Sequence, residues 1–156
     1  MKKLIKWIKN KVCKFIKTKA MNENFEKAVK VILKCEGLYV DHPKDPGKAT
    51  NLGISLRFLR NIGDYNKDGI LDGDLDQDGD IDEDDIRLMT QGRAEQFYHD
   101  HFWKRLRCDN IECKMMRLHL FDMGVNAGTS RAAKIVQKLL AIKEDGIIGP
   151  VSLSHI

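Results

Sequence analysis

The stretch from Cys35 to Ser55, which reads CEGLYVDHPKDPGKATNLGIS, is the part of the chain around which we expect the rest to fold. It follows a helical pattern and contains two prolines and three glycines, which restrict or redirect the backbone in turns. Glu36, Asp45 and Thr50 bring two carboxyl groups and a hydroxyl into this one short segment. We therefore interpret it as a candidate active-site loop.

A helix is predicted directly before this loop. Gly37 is suited to end it, because glycine adopts the left-handed conformation without strain. Asn22 or Asn24 can cap its start. Its apolar residues recur at helical spacing, at Phe25, Ala28, Val29, Ile32 and Leu33.

Glu36 would then be the last residue of this helix. The partial negative charge of a helix C-terminus disfavours an ionised carboxylate, so we expect a raised pKa for Glu36. A raised pKa suits a general acid. The alternative is an ordinary exposed glutamate at a helix end, and the nearby Asp45 and Thr50 favour the catalytic interpretation.

The composition indicates a mainly helical protein. The chain has 156 residues, of which 42% are hydrophobic, which is enough for one domain with a core of its own. Alternating β-branched residues are sparse, and apolar residues recur at spacings of three and four. We expect an all-α fold.

The net charge of +4 averages three different regions. Residues 1–20 carry eight lysines and no acidic residue, whereas residues 64–85 carry eleven acidic residues and one lysine. The rest of the chain is moderately basic, which suits an anionic partner such as a cell-wall polymer, a nucleic acid or a membrane. Charge alone does not choose among these partners.

Residues 1–20 are predicted to form a cationic amphipathic helix. Lysines interrupt the apolar residues every two or three positions, so the segment resembles neither a secretory signal nor a transmembrane span. One interpretation is a helix that lies on an anionic membrane or wall surface. The other is a solvated arm, and the sequence favours neither.

The chain has four cysteines, at positions 13, 35, 108 and 113. Their spacing fits no zinc signature, and no Cys-His nucleophile pattern surrounds Cys35. We therefore expect reduced or buried thiols and synthesis in a reducing compartment.

The acidic segment contains a pattern typical of an EF-hand calcium loop. From Asp74 to Asp85, oxygen-bearing side chains and a glycine at position 6 recur in the spacing of such a loop. A solvated acidic linker is the alternative. The placement of Gly79 and Ile81 favours a metal site, with ligand candidates Asp74, Asp76, Asp78, Asp80, Asp82 and Asp85.

Residues 64–72 repeat the first nine positions of this pattern. Leu75 occupies position 12 of that first loop, where a ligand is expected, so metal binding and a solvated linker remain equal alternatives there. Its ligand candidates are Asp64, Asn66, Asp68 and Asp72. Two such loops without an intervening helix indicate a structural calcium ion within an insertion, not a calcium sensor.

Further helices are predicted downstream. Ser55 should cap a short helix, Asp85 or Thr90 should start a helix through the aromatic residues up to Trp103, and Ser130 should cap the last long helix. A turn and a final short element complete the chain.

Four ordered motifs resemble glycoside hydrolase family 108, the N-acetylmuramidases of phages and prophages with a C-terminal peptidoglycan-binding region. The resemblance covers roughly residues 22–155. The motifs are Glu36-Gly-Leu-Tyr-Val with His42-Pro, Asp45-Pro-Gly and Ala49-Thr-Asn-Leu-Gly-Ile54; Phe97-Tyr98 with Phe102-Trp103; Phe121-Asp-Met-Gly-Val-Asn-Ala-Gly128; and Asp145-Gly-Ile-Ile-Gly-Pro150.

The resemblance implies a lysozyme-like helical fold that hydrolyses the β-1,4 bond between N-acetylmuramic acid and N-acetylglucosamine. It makes Glu36 the catalytic acid, and the spacing to Asp45 and Thr50 looks like the Glu/Asp/Thr triad of phage lysozymes. By that analogy Asp45 would stabilise positive charge on the sugar or help place water, and Thr50 would orient the attacking water. The motifs also contain four candidate substrate-binding residues, Tyr39, His42, Asn51 and Asn126.

The charge pattern and this resemblance together predict an organisation, partners and a location. We expect residues 1–20 as the cationic helix, 21–110 as the catalytic region with the calcium insertion at 64–85, and 111–156 as a peptidoglycan-binding-like region packed with it. The expected partners are peptidoglycan glycan strands and, through residues 1–20, an anionic membrane surface, with no nucleic acid.

We expect a monomer that is made in the cytoplasm without a cleavable signal peptide and acts on the cell wall in the periplasm or outside the cell. Ca²⁺ is the one expected ion, and catalysis should need no cofactor. The alternative function is an inactive, calcium-ordered wall-binding module from a decayed prophage.

Overall fold

The computed structural model describes residues 23–34, 49–65, 67 and 69–156. This part of the chain is mainly helical, which confirms the predicted class, and a short antiparallel hairpin accompanies the helices. None of the helices within these ranges combines the length and apolar character needed to cross a membrane.

The elements follow one another along the chain in this order. After helix α1 (residues 23–34) come strands β1 (Thr50–Asn51) and β2 (Ile54–Ser55), α2 (Leu56–Ile62), α3 (Glu83–Leu88), α4 (Gln91–Tyr98), a π-helix (His99–Trp103), a 3₁₀ turn (Cys108–Asn110), α5 (Lys114–Ala127), α6 (Thr129–Leu139) and α7 (Pro150–His155).

The described residues form two compact units. One contains the described part of Val31–His101, and the other contains residues 23–30 and Phe102–Ile156. Helix α1 contributes to both units, since the boundary falls after Lys30. The division into segments 1–20, 21–110 and 111–156 stays a prediction.

Helix capping in the first of these units, the 31–101 unit, largely follows the sequence expectations. The Ser55 side chain accepts a hydrogen bond from the Phe58 amide at 3.2 Å and caps α2, as predicted. Thr90 caps α4 in the same way, through the Arg93 amide at 3.2 Å. Asp85 does not start the helix through the aromatic residues, because it lies in the first turn of α3.

The predicted helix through the aromatic residues changes its geometry at His99. The backbone is α-helical up to Tyr98 and π-helical over His99–Trp103. His101 lies in the π-helical part and is 5% exposed. It contacts the rings of Phe58, Phe97 and Tyr65. It is thus part of an aromatic cluster of the 31–101 unit.

Two side chains fasten the β1–β2 hairpin to the rest of its unit. Asn51 donates a hydrogen bond from Nδ2 to the backbone carbonyl of Ile86 in α3, at 3.0 Å. The hydroxyl of Tyr98 in α4 donates to the carbonyl of Leu52 in the hairpin turn, at 2.9 Å. Tyr98 and Ile86 are fully buried, so both bonds are partly shielded from competing water.

The other unit is built around edge-on aromatic packing. The ring centroids of Trp103 and Phe121 lie 5.3 Å apart, and Phe25 of α1 lies 5.5 Å from Trp103 and 6.2 Å from Phe121. These T-shaped arrangements suit the quadrupoles of the rings. They connect α1, the π-helix and α5 into one core.

The turn between α5 and α6 corrects one sequence expectation. Gly128, not Ser130, is the N-terminal cap of α6, and it is also the C-terminal cap of α5. Its φ of 86° is a conformation that glycine adopts readily. Because this single residue separates the two helices, Ser130 is already inside the first turn of α6.

Gln137 joins α6 to the loop before α7. It is 1% exposed, and its Nε2 lies 2.7 Å from Asp145 Oδ1, 3.0 Å from the Ile147 carbonyl and 3.1 Å from Ser152 Oγ. Its Oε1 accepts a hydrogen bond from the Gly146 amide at 2.9 Å. The Gln137 hydrogen bond, followed by that of the Ile147 amide, lowers the pKa of Asp145.

The two described cysteines carry free thiols. Cys108 is buried, which raises its pKa to about 12 and makes it a poor nucleophile at neutral pH. Cys113 is exposed next to α5. Cys13 and Cys35 lie outside the described residues.

Replacing Tyr98 by Phe should destabilise the protein by about 1–2 kcal/mol, because the Leu52 carbonyl loses a buried donor. Urea denaturation measures this change. Tyr65→Phe is the matched control, since Tyr65 is 40% exposed, and its effect should be below about 0.5 kcal/mol. Equal effects of the two substitutions would contradict a role for the Tyr98 hydroxyl.

Replacing Gln137 by Leu should cost about 1–3 kcal/mol, since buried polar partners lose their hydrogen bonds. The pKa of Asp145 should rise in an NMR titration. A carboxyl group with a lowered pKa stabilises the fold above its ordinary pKa, and this contribution is lost as the pH falls. The stability of the variant should therefore depend less on acidification than that of the parent chain, whereas the exposed control Gln91→Leu should behave like the parent.

Candidate active site

The structure describes part of the predicted catalytic set. Thr50 and Asn51 form strand β1, whereas Glu36, Asp45, Tyr39 and His42 lie outside the described residues. The roles of these four stay predictions.

The hairpin fixes the position of Thr50. Thr50 pairs with Ser55, and Asn51 pairs with Ile54, across a turn made of Leu52 and Gly53. Both turn residues have positive φ, 51° and 76°, as in the type I′ turns that match the twist of a hairpin.

Thr50 and Asn51 have different surroundings. Because successive strand residues point to opposite faces, the Thr50 side chain lies on the face opposite that of Asn51. Asn51 Nδ2 is occupied by its bond to Ile86. Thr50 is half-buried. A threonine on a short, anchored strand has a fixed backbone position, which is what a hydroxyl needs if it is to orient a water molecule.

Asn126 lies in the other unit, on α5. Its Nδ2 donates to the carbonyl of Asp122 at 2.9 Å and lies 3.2 Å from Asp122 Oδ1. The two residues are one helical turn apart and therefore lie on the same exposed face of α5. A role for Asn126 in substrate binding stays a prediction.

Three of the predicted metal ligands lie close together. Asp74, Asp76 and Asp78 each place one carboxylate oxygen within 4.8 Å of the others. We call these three residues the aspartate cluster. Asp80, Asp82 and Asp85 are not members of it.

Asp82 and Asp85 organise the start of α3. The Asp82 side chain caps the helix by accepting a hydrogen bond from the Asp84 amide at 2.7 Å. Asp85 completes the capping box by accepting one from the Asp82 amide at 2.8 Å. These two carboxylates therefore have structural partners in the loop itself.

The cluster and its neighbours repel one another. Repulsion by Asp78 is the largest cause of the raised pKa of Asp80. For Asp76, desolvation is the largest cause of a raised pKa, and the negative charges of Asp78, Asp85 and Asp74 add to it. A cation bound to this segment would reduce the repulsion between its carboxylates.

A positively charged side chain, that of Arg93, lies beside the first acidic loop. Asp72 accepts a hydrogen bond from the Tyr65 amide at 2.6 Å, and its Oδ1 lies 3.4 Å from Arg93 Nη2. Asp64 accepts one from the Gly69 amide at 2.9 Å. Asn66 and Asp68 lie outside the described residues.

The sequence interpretation missed the residues that hold the hairpin and the first loop. In the sequence, Tyr98 is one of the aromatic residues of a predicted helix, with no partner indicated for its hydroxyl. A signal was present, since a buried tyrosine, unlike phenylalanine, needs a partner for its hydroxyl. No sequence signal identified Arg93 as the partner of Asp72, because the two are 21 residues apart.

Comparisons with known proteins assign the chain to a family. The sequence model of the family described as Glycosyl hydrolase 108 matches residues 29–128, which include Thr50 and Asn51. A comparison with curated protein sequences found no significant match.

A solved structure supports the same assignment. The chain is similar to Brucella abortus SagA, with a TM-score of 0.69 and 28% sequence identity, over 86% of this chain and 69% of that one. The family match alone spans well over half of the 156 residues. This protein is therefore a glycoside hydrolase, and it belongs to the glycosyl hydrolase 108 family, which acts on peptidoglycan.

Proposed function

We propose that the protein is a lysozyme-type N-acetylmuramidase, which hydrolyses the β-1,4 bond between N-acetylmuramic acid and N-acetylglucosamine in peptidoglycan. The observation that carries this proposal is the family match over residues 29–128, which contains Glu36, Asp45 and Thr50 in the order and spacing of a Glu/Asp/Thr triad.

Glu36 would act as the general acid and donate its proton to the glycosidic oxygen while the bond from that oxygen to the anomeric carbon breaks. Glu36 follows the described residues of α1 by two positions in the sequence. A carboxyl group at the negative end of a helix dipole holds its proton at higher pH, as this step requires.

Water would attack the anomeric carbon with help from the other two residues. The Asp45 carboxylate would stabilise the positive charge that develops on the sugar ring and accept the proton that the water loses, and the Thr50 hydroxyl would orient the water. The anchoring of the hairpin by Asn51 and Tyr98 supports this role for Thr50, since a small displacement of a positioning group costs much of its effect.

The hydrolysis itself would need no metal or other cofactor, because a general acid and an oriented water suffice for this reaction class. Tyr39, His42, Asn51 and Asn126 are proposed to contact the glycan. We expect the calcium ion of the acidic segment to be structural.

We further propose that the protein is an endolysin. Residues 111–156 would bind peptidoglycan beside the catalytic region, and the protein would act as a monomer on the wall in the periplasm or outside the cell. The basic character of the chain outside the acidic segment supports a polyanionic wall as its partner.

The substitution Glu36→Gln should reduce digestion of purified peptidoglycan by a factor of about 10² to 10⁴, since the amide cannot donate the proton. Zymograms and turbidity assays measure this loss, and mass spectrometry of the products identifies the cleaved bond. Glu26→Gln is the matched control, because Glu26 is exposed on α1. Undiminished clearing by Glu36→Gln, or no clearing by the parent chain, would contradict the proposed mechanism.

Deleting residues 1–20 should weaken lysis of intact cells without weakening digestion of isolated wall. The reason is that eight lysines on an amphipathic segment favour binding to an anionic membrane surface. The two substrates are compared in parallel, and a full-length variant with the eight lysines changed to glutamine separates charge from length. Equal loss on both substrates would show that the segment serves the enzyme itself, not delivery to the cell.

A further inference from the structure

The aspartate cluster contains a buried oxygen without a partner. Asp74 is 9% exposed, and its Oδ1 has no hydrogen-bond partner among the described residues. Its Oδ2 accepts a hydrogen bond from the Gly79 amide at 3.1 Å. An unpaired buried carboxylate oxygen is costly, and a cation bound at that oxygen removes the cost.

The other two members of the cluster each place one carboxylate oxygen within 4.8 Å of those of the rest. Asp76 Oδ1 accepts a hydrogen bond from the Asp78 amide at 3.2 Å, and Asp78 Oδ1 accepts one from the Asp80 amide at 3.0 Å. Within the part of the chain that the structure describes, no basic side chain forms an ion pair with a member of the cluster. Three negative charges thus converge with no ion-pair partner from the described part of the chain.

There is room for a hydrated ion beside these oxygens. A cavity of about 430 Å³ is lined by Asp74 and Asp78 of the cluster, and by Gln77, Gly79 and residues 69–71. The donor set is carboxylate oxygen, which hard cations prefer. Calcium accepts irregular sets of six to eight oxygens completed by carbonyls and water, whereas magnesium demands near-ideal octahedral geometry.

Asp85 has a different function from the three cluster residues. It is 1% exposed, and its Oδ1 accepts a hydrogen bond from the Leu75 amide at 2.5 Å, with the Asp76 amide 3.4 Å away. Its Oδ2 accepts a hydrogen bond from the Asp82 amide. Asp85 is therefore a positioning residue that ties the backbone of the cluster to the first turn of α3.

A short path leads from this turn to the hairpin of Thr50. Ile86 follows Asp85 directly and is fully buried in α3. Its carbonyl accepts the hydrogen bond from Asn51, the neighbour of Thr50 in β1. Whatever stabilises the start of α3 therefore also stabilises the position of β1.

We propose that Asp74, Asp76 and Asp78 bind one calcium ion, and that this ion stabilises the start of α3 and, through Ile86 and Asn51, the hairpin that carries Thr50. The proposal that calcium binds depends only on the geometry of the aspartate cluster. Its effect on hydrolysis rests on the proposed function, because it assumes that Thr50 orients the attacking water.

The binding test uses the full chain after removal of divalent ions with a chelator. Calorimetric titration with CaCl₂ should give one ion per chain, and MgCl₂ should bind at least about tenfold more weakly. At a calcium concentration near 100 Kd, the melting temperature should rise by roughly 5–10 °C. No binding at millimolar calcium, or equal binding of magnesium, would overturn the calcium site.

The cluster is tested with two double variants of equal charge. Asp76→Asn with Asp78→Asn removes two proposed ligands, both exposed, and should abolish binding and the thermal shift. Asp80→Asn with Asp84→Asn removes the same charge outside the cluster and should bind within about fivefold of the parent chain. Similar weakening in both variants would show a diffuse electrostatic effect and overturn the site, and circular dichroism checks that each variant is folded.

The coupling to the hairpin is measured by hydrogen exchange. The Leu56 amide, which donates to the Ala49 carbonyl at 3.0 Å, and the Ile54 amide should exchange at least fivefold more slowly with calcium bound. In Asn51→Ala, calcium should still bind but this protection should disappear. Unchanged exchange in the parent chain would overturn the coupling.

Wall digestion separates this inference from the proposed function. Calcium should increase the rate of digestion by the parent chain. If Glu36→Gln digests wall normally while calcium binding and hairpin protection behave as expected, the proposed catalytic role fails and the calcium site stands. If Glu36→Gln is inactive and calcium leaves digestion by the parent chain unchanged, the catalytic role stands and the effect of calcium on hydrolysis is refuted.

Discussion

The buried carboxylate of Asp85 is the interaction on which the 31–101 unit depends. Its two oxygens accept hydrogen bonds from amides on both sides of a tight acidic loop, and its backbone lies in the first turn of α3. Since the next residue, Ile86, holds Asn51, one carboxylate connects the loop, the helix and the hairpin. Burial of a carboxylate costs free energy, which its hydrogen bonds offset only when all its partners are in place. These three elements should therefore form together.

The other unit uses the same device with a neutral group. Gln137 is as deeply buried as Asp85, and its amide joins α6 to the loop around Asp145 and to Ser152 in α7. A glutamine both donates and accepts, so it can hold a loop that offers carbonyls and amides at once. In both units a loop gains a defined structure from one buried polar side chain.

Much of the fold could be predicted from the sequence, because the signals were local. Ser55 and Thr90 cap helices as expected, since a cap acts within three residues. The cap of α6 was misplaced because Ser130 has the composition of a cap, whereas Gly128 has the backbone geometry of one. The anchors of the hairpin, from Asn51 to Ile86 and from Tyr98 to Leu52, join residues 35 and 46 positions apart, and such distant pairs leave no periodic pattern. For the site, the sequence motifs predicted the family, which the family model confirms, whereas the catalytic residues stay predictions and the structure adds the anchoring of the hairpin that contains Thr50.

The two acidic loops differ in how their negative charge is neutralised, and this difference affects how the protein responds to ions in its surroundings. In the first loop, Arg93 lies beside Asp72 and stacks over Phe97, with its guanidinium carbon 4.6 Å from the ring centroid. The counter-charge there is part of the polypeptide, present at every ionic composition. Among the described residues, no basic side chain forms such an ion pair with the aspartate cluster, so a cation from the medium can take that place. The segment therefore places a neutralisation that is built into the polypeptide beside carboxylates that can respond to the ions of the surrounding solution.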